Sequence, residues 1–398
     1  MELSRDLSRQ EVSSVDQRLG VVMLARQFYP LTGGYQNQAL RLAQELVARG
    51  VRVYVVTQRQ GALSPHEVYR DIPIYRVPVF RSGYLASFSF LASSFLWMVK
   101  NREKFQIIHA QRSSSGLIAG LIGFVLRKKV LYKLTRGDEI GKKGFQTTVL
   151  GRVKVQCLTR TVDRLVAITR EIEADLKRLG IPPQQITSIP NGIQLGDRTQ
   201  AYDRAHIQLE MGWTPQISVV TFIGRLVFEK GLDWLLEVWQ RVVQQHPQGR
   251  LLIIGEGSER TALGARAQVL GIADTVVFLG QQADVFRFLA ITDVFVLPSR
   301  QEGISNALLE AMSQALPVVV ADDALGGNRE VVDDHKDGYV VRFGETEACV
   351  NVLLMLLQNP ALRREMGERA KQKLEEKFSL KSVADSYYHL YEQLTAPQ

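Results

Sequence analysis

The sequence predicts an α/β protein built from two doubly wound parallel-sheet domains. Three observations carry this prediction. Short apolar runs alternate with helical stretches from residue 19 to about residue 322, the order that builds βαβ units. The alternation breaks once, at 195–216, and begins afresh at Ile217. A chain of 398 residues with 45% hydrophobic content can also bury two cores of ordinary domain size. The expected boundaries are a polar tail over 1–18, a first domain over 19–198, a second over 199–377, and a closing helix over 378–398.

In the first half, LGVVMLA (19–25) and VRVYVVT (51–57) read as strands around a helix bearing Leu40, Ala43, Leu46 and Val47. Gly33 and Gly34 precede that helix, where bare backbone and a helix start suit a phosphate. From Ser82 to Val99, eighteen residues carry no charge, which raises the question of a membrane span. Five of them are serines, so a surface helix is expected instead. Its stripe of Tyr84, Phe88, Leu91, Phe95 and Met98 should enter the core. Phe90 and Trp97 should rest at a lipid interface, next to Lys100, Arg102 and Lys104.

FQIIHAQ (105–111) is a further strand, SSSGLIAGLIGFVL a helix, and KVLYKLT (129–135) a strand. It runs into a polar loop, TRGDEIGKKG (135–144), and loops at strand ends line the ligand crevice of open α/β sheets. RLVAIT (164–169), a helix at 171–181, and ITSIPNGIQ (186–194) complete this half.

After the interruption come ISVVTFIGRLVFEKG, a helix over 232–246, RLLIIGEG, a helix to about Leu270, TVVFLG, ADVFRFLAIT and DVFVLPS. PVVVAD (317–322) and a turn, ALGGNREVV, follow, and helical segments at 345–358, 360–377 and 379–394 end the chain. No internal repeat of 20–50 residues is apparent.

The stretch from Leu297 to Val320 concentrates the chemistry. It reads as a strand end, a polar loop, a helix and the next strand. Glu302 stands in the loop and Glu310 on the helix, with Gly303, Ser305 and Asn306 between them. Backbone N–H groups at the helix start favour an anion. A loop acid, an anion site and a helix acid together suit a sugar hydroxyl, a diphosphate and a ribose.

Charge is divided unevenly. Residues 1–198 carry 30 Lys and Arg against 15 Asp and Glu, whereas 199–398 carry 19 against 26. The first half is therefore expected to face an anionic partner. Without zinc-finger spacing, an RNP-like motif or a basic heptad helix, nucleic acid is set aside in favour of an anionic membrane surface. Cys157 and Cys349 are far apart and form no CxxC, and no HExxH occurs, so neither a disulfide nor a metal framework is expected. No cleavable signal peptide is visible, which points to the cytoplasm and to the cytoplasmic face of a membrane.

Five separated motifs now agree: TGG (32–34), IPNGI (189–193), GRLVFEKG (224–231), EGISNALLE (302–310) and GGNREVVDDHKDGYVV (326–341). In this order they resemble the retaining glycosyltransferases of family 4, with the GT-B fold, over residues 19 to 395. The resemblance implies an acceptor-binding first domain, a nucleotide-sugar-binding second domain, and a last helix that crosses back to the first. It implies that Arg225 and Lys230 bind the donor diphosphate, Glu302 contacts the donor sugar and Glu310 binds ribose hydroxyls. Gly303, Ile304, Ser305 and Asn306 would offer backbone amides, and Gly33 and Gly34 would approach the diphosphate from the other domain. The donor would be a UDP- or GDP-sugar, with no cofactor, and the acceptor hydroxyl lipid-linked, polysaccharide or small-molecule. Arg136, Lys142 and Lys143 would lie on the acceptor side.

Departures from the pattern are informative. Gln111 replaces the second histidine of a frequent His-x-His, and glutamine cannot transfer a proton near neutral pH. His109 is expected to be packed or hydrogen-bonded within the sheet. Asn328-Arg329 replaces an apolar residue and proline, and Ala315 replaces a glycine, read as a packing feature. A non-catalytic sugar-nucleotide-binding subunit and a GT-B nucleotide-sugar epimerase are the alternative functions.

Overall fold

The computed structural model describes residues 18–30, 34–80, 83–111, 113–135, 148–195, 202–323 and 325–396. The expected site residues Gly33, Arg136, Lys142 and Lys143 lie outside these. The chain divides into two compact units. One comprises Met1–Lys133, Gln156–Arg164 and Tyr388–Gln398; the other comprises Leu134–Val155 and Leu165–Tyr387.

An eight-stranded sheet is formed by β1 (Gly20–Leu24), β2 (Arg52–Gln58), β3 (His66–Tyr69), β4 (Ile72–Val77), β5 (Ile107–Gln111), β6 (Lys129–Leu134), β7 (Arg164–Ala167) and β8 (Ile186–Ser188). Its order is β3-β4-β2-β1-β5-β6-β7-β8. The helices between its strands are α1 (Gly34–Ala48), α2 (Gly83–Lys100), α3 (Ser113–Leu126), α4 (Val149–Thr161) and α5 (Arg170–Arg178). All five residues of β1 and of β5 are buried, as strands covered on both faces must be.

The second sheet contains β9 (Ser218–Ile223), β10 (Gly249–Ile254), β11 (Val276–Gly280), β12 (Val294–Leu297), β13 (Val318–Asp322) and β14 (Gly338–Arg342). Its order, β11-β10-β9-β12-β13-β14, is that of a dinucleotide-binding sheet, and its neighbouring strands pair in parallel. Its helices run from α6 (Arg204–Glu210) through α7 (Leu232–Gln245), α8 (Arg260–Val269), α9 (Phe286–Leu289), α10 (Asn306–Ser313) and α11 (Gly327–Val331). Three more close the chain: α12 (Thr346–Gln358), α13 (Pro360–Lys377) and α14 (Leu380–Thr395). In α7 the apolar stripe Leu232, Leu235, Leu236, Val238, Trp239 and Val242 is buried, and each such side chain contributes about 1.5–3 kcal/mol.

The doubly wound α/β expectation holds in both sheets. Several elements are not announced by the sequence. The β3–β4 hairpin turns through Arg70 and Asp71, both at positive φ (49° and 64°), instead of the Asn-Gly that signals such a turn. α4 is not anticipated, and α6 falls in the stretch expected to hold the linker, where Asp203 Oδ1 accepts from the Ala205 and His206 N–H groups. β14 is legible only as part of a motif.

The orientation expected for α2 is corrected. Phe90 is fully buried, and Trp97 packs against Tyr75 with ring centroids 4.7 Å apart, so this pair does not face a lipid interface. Phe88, expected in the core, is 68% exposed, although Met98 of the same stripe is buried as expected. The serines explain the inversion. Ser89 Oγ accepts from the Phe80 N–H at 3.0 Å and Ser93 Oγ donates to the Pro78 carbonyl at 2.8 Å. These hydroxyls serve the connection into the helix instead of solvent, so a polar residue does not mark the outer face.

Candidate functional site

In the second sheet β9 and β12 are parallel neighbours. The chain leaves β9 towards β10 on one side, while β12 continues to β13 on the other, so the switch point lies between them. Two loops, 224–231 and 298–305, open there at the carboxyl edge, where ligands of open α/β sheets bind.

Close backbone approach brings these loops together. Gly231 has φ 66°, and a Cβ at this position would lie 2.1 Å from the Pro298 carbonyl oxygen. Gly255, at φ 137°, similarly leaves room for the Gly224 carbonyl, 1.9 Å from an added Cβ. Leu226 is fully buried and its N–H donates to Glu256 O at 2.9 Å. With that anchor inward, Arg225 is exposed and makes no ion pair among the described residues.

A short turn over Phe228–Lys230 then delivers Lys230 to Glu302. Its ammonium forms an ion pair with Glu302 Oε2, each side chain being 14% exposed. Ser299 Oγ donates to the same carboxylate oxygen at 3.2 Å. Beyond Glu302, Ser305 caps α10 by accepting from the Leu308 N–H at 3.4 Å. Glu310 is half-buried further along α10.

Two residues not foreseen from the sequence hold this arrangement. Arg300 makes a bidentate pair with Asp233, at 2.9 and 2.7 Å, and donates to Phe228 O at 2.6 Å. Its guanidinium lies over the rings of Phe228 and Phe343, 4.1 and 4.4 Å from their centroids. Burial raises the Asp233 carboxyl, but hydrogen bonding and charge from Arg300 outweigh it and hold the group below its ordinary value. Arg300 therefore clamps the turn that carries Lys230.

Asp323 is the second. Its buried carboxylate accepts from the N–H groups of Glu302 (3.2 Å), Leu325 (2.8 Å) and Asn328 (2.9 Å). Burial pushes this carboxyl above its ordinary value; the three N–H bonds oppose the shift and the Glu302 charge adds to it. Nearby, a Cβ on Gly327 would lie 1.5 Å from the Gly303 carbonyl oxygen, so α11 abuts the acid loop directly. Asn328 is buried and donates to Ala321 O at 2.8 Å, while Arg329 pairs with Asp322 at 2.6 and 2.8 Å. The Asn-Arg departure thus fastens the turn to its own strand. An Asp-Asp pair at a strand end is the available signal for Asp323; for Arg300 only its place between Ser299 and Glu302 marks it.

The first sheet has its own switch point, between β1 and β5. Gly34 opens α1 after β1, and Gln111 ends β5. Gln111 Nε2 lies 3.1 Å from His109 Nε2, and His109 Nδ1 lies 2.7 Å from the Tyr391 hydroxyl. An amide N–H donating to Nε2 leaves the imidazole proton on Nδ1, directed at Tyr391. Burial, followed by the nearby Lys133 charge, pushes His109 down to about 3. His109 is hydrogen-bonded within the interior, as expected, and Gln111 is oriented by it.

The second sheet thus gathers Arg225, Lys230, Glu302, Gly303, Ile304, Ser305, Asn306 and Glu310 on adjoining loops and one helix. Gly34 and Gln111 belong to the edge of the first sheet.

Two sequence families match. Glycosyl transferases group 1 matches residues 212–373, and Glycosyltransferase Family 4 matches residues 32–197. N-acetyl-alpha-D-glucosaminyl L-malate synthase of Bacillus anthracis is 24% identical, over 91% of this chain and 94% of that protein. An Escherichia coli UDP-Gal:alpha-D-GlcNAc-diphosphoundecaprenol alpha-1,3-galactosyltransferase is 23% identical, over 92% and 95%. Among solved structures, Anabaena Alr3699/HepE in complex with UDP and glucose superposes with a TM-score of 0.77 at 20% identity, covering 94% of this chain and all of that one. Sucrose-phosphate synthase from Thermosynechococcus elongatus gives 0.78 at 21% identity, covering 95% and 99%.

Proposed function

Since the chain belongs to the family 4 glycosyltransferases of the GT-B fold, we propose that it moves a hexose from a nucleotide diphosphate sugar to an acceptor hydroxyl, with retention at the anomeric carbon and without a metal ion. The observation that carries the reading is the meeting of Lys230 with Glu302 at the switch point of the second sheet.

When the anomeric C–O bond breaks, negative charge develops on the departing diphosphate. Arg225, exposed, and Lys230, with three N–H donors, would both face that charge. Lys230 can keep one N–H on Glu302 and offer the others to phosphate oxygens. Glu302 would orient the sugar hydroxyls, and the N–H groups of Gly303 to Asn306 would line the sugar and phosphates. Glu310 would hold the ribose. A new bond forms from the acceptor oxygen to the anomeric carbon on the face the diphosphate leaves, and the departing phosphate oxygen takes the hydroxyl proton. Gln111 then needs only to hydrogen-bond, not to transfer a proton.

The donor is read as UDP- or GDP-linked. The acceptor is read as a lipid-linked, polysaccharide or small-molecule hydroxyl, a reading supported by the diphosphoundecaprenol acceptor in the name of the E. coli relative. The test is donor hydrolysis and transfer across a panel of UDP- and GDP-hexoses, with the product anomer read by NMR. Turnover with retained configuration, unchanged in excess EDTA and lost in Arg225→Ala and Glu302→Ala, is expected. Inversion, a strict divalent-metal requirement, or full activity in both variants overturns the proposal. Nucleotide binding without any turnover would make the protein a binding subunit.

A further inference from the structure

We infer that α2 and α3 together form a docking surface for an anionic lipid bilayer, on which the protein lies without crossing it. On α2, Leu85 (63% exposed), Phe88 (68%), Leu96 (67%) and Val99 (38%) face outward. At 100° per residue these four fall within about 80° of the helix circumference, so they form one stripe. The neighbouring α3 packs on α2 and adds Leu121 (45%), Phe124 (71%) and Val125 (62%). A soluble surface rarely exposes this many large apolar side chains on two helices packed against each other.

The inner faces of the same helices are committed to the core. Phe90, Ser94 and Met98 of α2 are fully buried, as is Ala119 of α3. Among the described residues no helix is long and apolar enough to cross a membrane. The geometry is that of a helix pair lying in the interface plane.

Charge selects the occupant. β5 and β6, which follow the two helices, are parallel neighbours, so α2 and α3 run alongside each other and end near one another. Lys100, Arg102 and Lys104 follow α2, and Arg127, Lys128 and Lys129 follow α3. Glu103 is the single acid in these two segments and pairs with Arg102 at 3.0 Å, and Lys129 pairs with Asp163 at 3.3 Å, so the cluster rests on Lys100, Lys104, Arg127 and Lys128. Two copies meeting through this face would bring like clusters together, whereas anionic headgroups neutralise them. The docking surface extends the lipid-linked reading of the acceptor and stands or falls separately from catalysis.

The test is co-sedimentation of the full chain with vesicles of phosphatidylglycerol and phosphatidylcholine, against phosphatidylcholine alone. Binding to the anionic vesicles only is expected. It should weaken as salt rises, since the screening length falls from about 10 Å at 0.1 M to about 3 Å at 1 M. Phe88→Glu and Phe124→Glu should each lower binding about tenfold or more, and Lys100→Glu with Arg127→Glu should abolish the preference for anionic lipid. All these variants should keep wild-type donor hydrolysis and nucleotide-induced thermal shift. Wild-type protein that stays in the supernatant, or glutamate variants that bind as well as wild type, overturns the inference. So does a sedimenting wild-type dimer that Phe88→Glu converts to monomer. Vesicle binding by a chain that never turns over a donor would overturn the function proposed above and leave this surface in place.

Discussion

Lys230 and Glu302, 72 positions apart in the chain, form an ion pair between the loops that follow β9 and β12. Glu302 also accepts from the Ser299 hydroxyl of its own loop, but each charge finds its counter-ion in the other loop and is carried by backbone held from elsewhere, Lys230 by the Arg300 clamp and Glu302 by Asp323. The pair therefore acts as one unit. Lys230→Ala and Glu302→Ala should each lower turnover about 100- to 1000-fold, and the double variant should be little worse than either. Steady-state rates at saturating donor check this, and multiplying losses would show independent roles.

Arg300 should prove a positioning residue. Lys at this position keeps the charge but loses the fork to Asp233 and the stacking on Phe228 and Phe343. Arg300→Lys is expected to raise the donor KM more than it lowers kcat. Combined with Asp233→Ala, it should show a coupling of about 1 kcal/mol in a double-mutant cycle measured by denaturant unfolding.

Gly327 tests the contact between α11 and the acid loop. A methyl group there would stand 1.5 Å from the Gly303 carbonyl oxygen, so Gly327→Ala must displace residues 302–303. Activity should be lost while circular dichroism stays close to wild type. Full turnover would mean that the loop can move without consequence.

His109 sets a pH dependence of stability. Its folded value is about 3, below the unfolded value of about 6.5. Between these limits the unfolded chain binds a proton that the folded chain does not. Its contribution is therefore complete above about pH 6.5 and falls by about 1.4 kcal/mol per unit as pH drops towards 3. His109→Gln should flatten that acid limb in pH-dependent unfolding, although it lowers stability at neutral pH by breaking the bonds to Gln111 and Tyr391.

Ala315 sits at φ 54° just after α10. The departure read from the sequence as packing is thus a backbone matter, since a side chain in the left-handed region is strained. Ala315→Gly should stabilise the protein by up to about 1 kcal/mol, seen as a raised thermal midpoint.

Periodicity and punctuation sufficed for the α/β class and most strands, because βαβ units are built from local alternation, and they drew attention to the loop acid at 302 and the helix acid at 310 after a strand end. Arg225 and Lys230 were marked by the family resemblance. Tertiary structure decided what depends on partners distant in the chain. Arg300 and Asp323 take their roles from backbone groups of other segments, and no spacing in the sequence announces such partners. The outward face of α2 was likewise decided by packing. Serines that bond the preceding connection turn inward, so the apolar side chains left outside could be identified only once the helix was seated against its sheet.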